Sequence, residues 1–414
     1  MRNDYNNRLR AISKHFLVGS GLSNVAPLQR AAGTQLVYSI LESGNDWTEQ
    51  LKFWGLSTPV AMMSGAPVEN FVRDFGKQWI DDYWLSQELW AEMLDPTNQV
   101  NVFPALRWVP SVFAKWKRRA PVARKYLTEA YKGLMNQSIK SLERHGGSFN
   151  SLSIIPKLLR ESPSLANAHE DMEMTTFMGG IFDAAVGSSV MSFQTLILAL
   201  AAHPEAQRRA QAEIDDGFGR DNPLPEHMDT GKLRYVNACV LEAQRWRPLG
   251  AFAVGPFGLP RKSVVDEEVL GYHIPKGSSI LINQWTIAHD PDFYEEPTCY
   301  NPDRFFRDPV GAKKGVKQEG RKALYTFGAG RRECAGKDFA LQNIRIALSL
   351  ILWAFDIVPD GPLDVDAQKG FTPAIAMIPI PFKVKFVPRK GKKALLEEKR
   401  RADIMFSEML GKEA

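Results

Sequence analysis

The 414-residue chain has few cysteines, no long apolar run and little excess charge of either sign. Its three cysteines, Cys239, Cys299 and Cys334, are far apart and form no Cys-x-x-Cys or Cys/His cluster. This pattern excludes a disulfide framework and a zinc site and favours a reducing compartment. No stretch reaches the roughly 18 apolar residues of a membrane span, and the first residues are no secretory signal.

The charge balance excludes nucleic acid as the main partner. The 52 basic and 47 acidic residues give a net charge of +5, which is mild and evenly spread. An acidic protein partner is compatible with this surface. The chain has no internal repeat and no low-complexity tract, so it reads as an ordinary folded protein.

Helical periodicity dominates residues 7–210, where apolar residues return every three or four positions. After residue 229, short β-like runs separated by turns alternate with helices, which predicts a smaller mixed part. Residues 102–135 begin with proline-broken apolar residues and continue as a basic, aromatic helix. We interpret that helix as a surface helix with a solvated charged face, with membrane-surface contact as the alternative.

The middle of residues 170–215 is apolar on nearly all sides, which predicts a long helix that runs through the centre of the protein. Gly179, Gly180 and Gly187, followed by Ser188 and Ser189, weaken it at its most buried part. Each glycine costs about 1 kcal/mol relative to alanine in a helix interior. This cost predicts the close approach of a bulky group.

The segment FGAGRRECAG, residues 327–336, places Cys334 among glycines and directly before another strong helix. A helix N-terminus and the charges of Arg331 and Arg332 favour a thiolate over a thiol. Since no histidine lies nearby to act as a base, metal ligation is favoured over nucleophilic catalysis. The alternative is an inert, small core residue.

Five residues of this segment, Phe327, Gly330, Arg332, Cys334 and Gly336, fill the pattern F-x-x-G-x-R-x-C-x-G. The chain thereby resembles the cytochrome P450 superfamily, over about residues 100–386. The resemblance implies that Cys334 is the axial thiolate ligand of haem iron, that the glycines admit backbone N–H groups and that Phe327 shields the sulfur. It also implies a mainly α fold with a smaller β-rich lobe: a cytochrome P450 domain over 1–388, followed by a charged helical tail over 389–414.

Three further charged residues match motifs of this family. Glu242 and Arg245 form its E-x-x-R pair, and Arg304 within NPDRFF completes a Glu/Arg/Arg cluster. The resemblance implies a buried structural lock, and the alternative is an exposed helical ion pair. It also implies that Arg332 and Arg261 hold haem propionates, where surface salt bridges are the alternative.

The family's oxygen-activating motif A-G-x-D/E-T-T falls on residues 184–189, and there the chain departs from the pattern. Gly187 replaces the acid, and Ser188 replaces the threonine. Asp183, four residues before Gly187, lies on roughly the same helix face and could substitute as a proton donor. A role as a network residue is the equal alternative. Hydroxylation, oxidative coupling, desaturation and rearrangement all remain open.

The resemblance also implies an anchor, helices and strands before the helix matched by residues 4–16. We therefore expect an N-terminally truncated form of the fold. The family's haem-contacting W-x-x-x-R would fall near Leu9 and Ser13, which do not match it, although Arg10 or Lys14 could compensate.

The sequences of these motifs resemble those of fungal microsomal members of the family. This resemblance implies that the protein is an oxidoreductase. It would insert one oxygen atom of O2 into a small apolar substrate, or couple or desaturate it, in secondary metabolism or xenobiotic oxidation. Haem b is the implied cofactor, with electrons from NADPH through an acidic flavoprotein reductase. The implied location is the cytoplasmic face of the endoplasmic reticulum or, because no anchor is seen, the cytosol.

The resemblance implies a substrate pocket, and core packing is the alternative for each residue taken singly. The implied pocket residues are Phe177, Phe182, Leu249, Phe252, Ala374 and Ile375. Two other functions stay open: a haem-binding remnant without turnover, and a haem-thiolate isomerase or dehydratase that needs no reductase.

Overall fold

The computed structural model describes residues 16–43, 46–94, 100, 103–144, 153–161, 172–219, 230–249, 261–372, 376–389 and 391–410. Over these residues the chain is mostly helical, with small β-sheets in its second half. The predicted fold class, mainly α with a smaller β-rich part, is confirmed.

The first half of the described chain contains helices only. They are α1 (Ser20–Ser43), α2 (Trp47–Ser64), α3 (Val68–Phe75), α4 (Gln78–Leu94), α5 (Lys115–Arg144) and α6 (Ile154–Glu161). The proline-broken segment before α5 forms a 3₁₀ turn at Pro104–Trp108, because proline at the first helical position fixes φ without wasting a backbone donor.

The long apolar segment forms α7 (Met172–Ala202), a helix of 31 residues. The remaining helices follow it: α8 (Pro204–Phe218), α9 (Arg234–Trp246), α10 (Gln284–Ala288), α11 (Asp303–Arg307), α12 (Lys337–Ala354) and α13 (Lys392–Leu410). The proline at the start of α8 ends α7 cleanly, since it cannot continue the preceding helix.

The strands pair into three antiparallel two-stranded sheets. Their bounds are β1 (Arg261–Lys262), β2 (Glu267–Val269), β3 (Tyr272–Ile274), β4 (Ser279–Ile280), β5 (Phe355–Pro359) and β6 (Val384–Pro388). β1 pairs with β4, β2 with β3 and β5 with β6. In the β5–β6 pair, Phe355 lies opposite Pro388 and Pro359 opposite Val384, so the register is fixed over five residues.

Two buried apolar clusters form most of the core, and α7 contributes to both. Phe193 and Leu200 pack in one cluster with residues of α9 and α12. Phe182 and Val186 pack in the other with residues of α2, α4 and α5. Phe339, on the first turn of α12, belongs to that second cluster. The first turn of α12, just after the Cys334 segment, therefore belongs to the same buried cluster as this part of α7.

The charged C-terminal segment forms α13, which packs against α1. Arg30 of α1 and Glu398 of α13 form an ion pair of 2.9 Å with both side chains buried. Gln35 also donates to Asp403. Buried ion pairs carry a large desolvation cost, so this pair indicates a specific docking geometry more than it indicates stability.

The segment Gly179–Ala202 of α7 is long and apolar enough to cross a membrane by length and composition alone. In the folded chain, 72% of its most apolar window is buried against other parts of the protein. This burial is typical of the core helix of a globular fold, which is where the sequence placed it.

Candidate functional site

The segment 327–336 folds into a tight loop that closes on itself. Gly328 and Gly330 have φ angles of +77° and +64°, which residues other than glycine rarely adopt. The backbone N–H of Cys334 donates to the carbonyl of Phe327 at 2.9 Å. The glycines therefore allow a turn that brings the cysteine opposite the phenylalanine, whose ring packs against the core.

Cys334 is exposed and lies just before α12, whose N-cap is Gly336. A side chain at Gly336 would be in contact with the Cys334 sulfur, at 4.0 Å from an ideal Cβ. The unpaired N–H groups at the start of α12 and the exposed Arg331 and Arg332 all present positive potential near the sulfur. This arrangement favours negative charge on the sulfur.

Glu333, one residue before the cysteine, connects the two ends of the loop. Its carboxylate receives Lys322 Nζ at 2.9 Å and Lys337 Nζ at 3.4 Å. Lys322 precedes the loop, and Lys337 is the first residue of α12. The ion pairs therefore span the segment that carries Cys334. Sequence reasoning missed this contact, because a single glutamate between basic residues gives no directional signal.

Glu242, Arg245 and Arg304 form one buried cluster. Arg245 donates to both oxygens of Glu242, from Nε at 2.8 Å and from Nη2 at 2.7 Å. Arg304 Nε donates to Glu242 Oε1 at 3.3 Å, and the exposed fractions of the three residues are 5% or less. Arg245 also donates to the carbonyls of Ala288 and Pro297. The cluster thus ties α9 to the segment that leads into the Cys334 loop.

One stripe of α7 is poorly covered by other parts of the described chain. Gly180 and Ala184 are exposed, and Ser188 and Met191 are half-buried, at helical spacings of four, four and three residues. We call these four residues the open stripe. Gly187, beside it, stands where the family's acid is expected, and an added Cβ there would lie 3.8 Å from the end of the Met191 side chain.

The two serines of α7 bond back to the helix. Ser188 Oγ donates to the carbonyl of Ala184 at 2.6 Å, and Ser189 Oγ donates to that of Ala185 at 2.7 Å. Such bonds loosen the backbone ladder and often bend helices. Ser188 therefore combines a hydroxyl on the open stripe with a locally weakened helix.

Asp183 points away from this stripe, toward α4 and α5. Tyr131 of α5 donates its hydroxyl to Asp183 Oδ2, and Gln87 Nε2 of α4 donates to Oδ1 at 3.2 Å. At 100° per residue, Asp183 lies roughly 140° around the helix axis from Ser188. The structure thus separates the two residues that the sequence proposed for proton transfer.

Burial dominates the electrostatics of this group. It raises the pKa of Asp183 to about 6, against the hydrogen bonds from Tyr131 and Gln87 and the nearby phenol of Tyr83, which lower it. Burial first and the Asp183 charge second raise the pKa of the Tyr83 phenol well above its ordinary value. Sequence reasoning missed the three partners of Asp183, because they lie 52 to 100 residues earlier on other helices.

The remaining predicted site residues lie in several places. Phe182 is fully buried, and its ring packs 5.0 Å from that of Tyr83, among core residues and not on the open stripe. Leu249 is half-buried, and its carbonyl accepts a hydrogen bond from the N–H of Met377. Arg261 lies exposed on β1, opposite Ile280 of β4.

Other predictions concern residues that the structure does not describe. Phe177 belongs to α7, but its side chain lies outside the described residues. Phe252, Ala374 and Ile375, as well as the positions of the W-x-x-x-R motif, lie outside them altogether.

Comparisons of the sequence with a family model and with individual proteins all indicate the same family. The sequence matches the cytochrome P450 family model over residues 85–386. A cytochrome P450 monooxygenase of Armillaria gallica is 30% identical over 414 residues, covering 98% of this chain and 74% of that protein. One from Penicillium is 29% identical over 394 residues (90% and 68%), and one from Arthrobotrys oligospora is 29% identical over 398 residues (93% and 72%).

The described residues fit a haem bound through sulfur. The Cys334 side chain is exposed beside a glycine, so a flat group could approach the sulfur. Arg332 is exposed and has no acidic partner within the described part of the chain, so it is available to a carboxylate such as a propionate. The open stripe of α7 carries glycine, alanine and serine at three of its four positions, which leaves room beside it for a bulky planar ligand.

Proposed function

Because the chain belongs to the cytochrome P450 family, we propose that it is a haem-thiolate monooxygenase acting on a small apolar substrate. It would insert one oxygen atom of O2 into the substrate, or couple or desaturate it, in fungal secondary metabolism or xenobiotic oxidation. The observation that carries the proposal is the exposed Cys334 sulfur at the start of α12, in a glycine-shaped loop. Fungal relatives named cytochrome P450 monooxygenases support the reaction class.

We assign Cys334 as the residue that would bind the iron of haem b through its thiolate, and Arg332 and Arg261 as the residues that would pair with its propionates. Haem, when bound through a thiolate, supplies the oxygen-activating chemistry. The role of the protein is to keep the Cys334 sulfur ionised as a thiolate. The N-terminus of α12 and the nearby arginines supply the positive potential that favours this charge. The buried Glu242 cluster stabilises the segment that leads into this loop.

On the opposite side, Ser188 is the proton donor that we favour. Its hydroxyl lies on the open stripe, and the bond to the Ala184 carbonyl holds the oxygen in a defined position. A hydroxyl held in this way can accept a hydrogen bond from water, and it can donate its own proton once the O–H bond turns away from the Ala184 carbonyl. Asp183, the other candidate, is held by Tyr131 and Gln87 on a different face and does not share the stripe.

The electron donor proposed for this chain is an NADPH-dependent flavoprotein reductase with an acidic docking surface. Arg331 is exposed three residues before Cys334, and Lys337 is the first residue of α12. Their charges would attract an acidic partner to the side nearest the sulfur, and salt would weaken the encounter.

We also propose that the protein works at the cytoplasmic face of the endoplasmic reticulum. The turn before α5 exposes 88% of Trp108, 70% of Val112 and 78% of Phe113. Lys117 and Arg118 donate to carbonyls of this turn, which satisfies its backbone while the apolar side chains face outward. Aromatic residues with neighbouring cations are typical of a membrane-surface contact.

Liposome flotation tests this location. Trp108→Ser with Phe113→Ser should reduce binding to vesicles that contain anionic lipid. Leu270→Ser, which removes an equally exposed apolar residue from the β2–β3 turn, should leave binding unchanged. Equal binding by both variants would contradict a membrane contact at the turn before α5.

A second candidate function is a haem-thiolate isomerase or dehydratase that needs no reductase. The observation that favours it is the open stripe, none of whose four side chains is an acid. In such a reaction the substrate rearranges without net electron input, so an acid for oxygen activation is not required.

Turnover with purified reductase tests the choice between the two. A monooxygenase should consume NADPH in a substrate-dependent way, and Ser188→Ala should lower product formed per NADPH by about tenfold or more, because positioned proton transfer contributes at least that much. Product formed equally well without NADPH and reductase would contradict the monooxygenase and favour the isomerase.

A further inference from the structure

Three helices meet at the carboxylate of Asp183. Tyr131 reaches it from α5, Gln87 reaches it from α4, and the carboxylate itself stands on α7. The phenol of Tyr83, also on α4, is fully buried beside it. Asp183 makes no ion pair within the described part of the chain, so neutral, directional donors hold it. Such bonds fix a geometry, whereas a bare charge pair would tolerate sliding.

The same tyrosine makes a second contact with α7, one turn earlier. The ring of Tyr131 lies directly against Gly179, where an added Cβ would be 2.3 Å from the nearest ring carbon. Gly179 and Asp183 are four residues apart and therefore lie on one face of the helix. The glycine thus allows the ring to approach, and the aspartate holds its hydroxyl.

This contact lies next to the open stripe. Gly180 directly follows Gly179, and Ala184 directly follows Asp183, and both members of the stripe are exposed. The turn of α7 that holds Tyr131 on one face therefore borders the open space on the neighbouring face. Any shift of α4 and α5 along α7 would therefore move the contacts that hold the turn carrying Gly180 and Ala184.

We propose that Tyr131 and Asp183 are positioning residues that hold α4 and α5 against α7 and so determine how large a molecule fits beside the open stripe. The assignment rests on the proposed function, because it takes that space as the substrate site. Gln87 adds a second direction of restraint, and Gly179 is required for the close approach of the ring.

The first test needs no bound cofactor. Hydrogen–deuterium exchange of the purified chain should show Tyr131→Phe exchanging on the order of tenfold faster in the parts of α4 and α5 that face α7, as expected for a lost bond to a buried charge. Exchange in α12 should not change. The control, Tyr126→Phe, changes a tyrosine on the same helix that stacks with Lys125. Equal exchange in the two variants would overturn the proposal.

The second test measures the size of the site. Imidazole, 4-phenylimidazole and the much bulkier clotrimazole bind haem iron through nitrogen and shift its absorbance. Tyr131→Phe and Asp183→Ala should raise the affinity for clotrimazole relative to imidazole by on the order of tenfold. Gly179→Ala should act in the same direction with both polar groups intact, because the added methyl displaces the ring. Unchanged affinity ratios in all three variants would overturn the proposal.

The two tests fail in distinguishable ways. If the purified chain holds no haem and shifts with none of the azoles, the proposed function is wrong, while the exchange result still decides whether Tyr131 holds the helices together. If azoles bind and exchange changes but the affinity ratios do not, the contact is structural and the size-selecting role is wrong.

Discussion

The two sides of the proposed haem site are built differently. The thiolate side is contained in ten consecutive residues, 327–336, and is closed by glycine turns and by the backbone bonds from Cys334 to Phe327 and from Glu333 to Gly330. The opposite side depends on α7 and on bonds that span 52 and 96 residues, from Tyr131 and from Gln87 to Asp183. Local sequence therefore determines the first side, and long-range packing determines the second.

The electrostatics differ as well. Arg331, Arg332 and the N-terminus of α12 surround Cys334 with positive potential, which suits a thiolate. Asp183 is surrounded by neutral donors, and burial keeps its pKa at about 6. The first environment favours an ionised ligand, whereas the second tolerates a neutral acid near physiological pH.

The largest effect on the free energy of unfolding is expected at the buried Glu242 cluster, which stabilises the thiolate side. Glu242→Gln removes the negative charge that Arg245 and Arg304 share, and it leaves two buried cations without a counter-ion. We expect a loss of about 3–5 kcal/mol in the free energy of unfolding, measured by urea denaturation.

The matched control for this variant is Glu205→Gln on α8. Glu205 and Arg208 form an ion pair of the same i,i+3 spacing, but both side chains are mostly exposed. An exposed pair of this kind contributes about 0–1 kcal/mol. Similar losses for the two variants would show that burial of the Glu242 cluster does not matter.

On the α7 side we expect a smaller effect on the free energy of unfolding, and this effect depends on pH. Because the pKa of Asp183 is raised from 3.8 to about 6, the folded state binds its proton more tightly than the unfolded chain does. The free energy of unfolding should therefore fall as pH rises from about 4 to 6, by at most about 3 kcal/mol, and then level off.

Asp183→Asn removes this titration. The variant should lose that part of the pH dependence, as measured by urea denaturation at several pH values. Asp81→Asn, which changes an exposed carboxyl on α4, serves as the control. If Asp183→Asn keeps the full slope between pH 4 and 6, another group is responsible.

The smallest effect is expected at Glu333. The ion pairs of this residue with Lys322 and Lys337 are about one-third exposed, so Glu333→Gln should cost no more than about 1 kcal/mol. High salt should lower the stability of the unmodified chain and abolish its difference from the variant. A loss of several kcal/mol would mean that the loop depends on these pairs more than on its glycines.

The sequence predicted the residues of the thiolate side because their signals are local. Glycines with positive φ, a cysteine before a helix and the spacing of Glu242 and Arg245 are all readable within short windows. The helix that carries Arg245 and the helix that carries Arg304 come together at Glu242 as the motifs imply, although the roles of these residues stay predictions until haem binding is measured.

The arrangement of side chains on the α7 side was harder to predict from the sequence, for a physical reason. Helical periodicity gives the angle between Asp183 and Ser188, but it does not say which face meets α5 and which meets open space. The ring of Tyr131 decides this, by packing on Gly179. The same limit applies to Phe182, which was proposed for the pocket and lies fully buried against Tyr83.

The proposal that Cys334 binds haem through its thiolate is tested most directly by the absorbance spectrum of the reduced, carbon-monoxide-bound protein. Three forms are compared: unmodified, Cys334→Ser and Cys299→Ser. Cys299 is also exposed and serves as the matched control. We predict the red-shifted Soret band of a thiolate-ligated haem in the unmodified protein and in Cys299→Ser, and its loss in Cys334→Ser. An unmodified chain that retains no haem, or a Cys334→Ser variant that keeps the red-shifted band, would contradict the account.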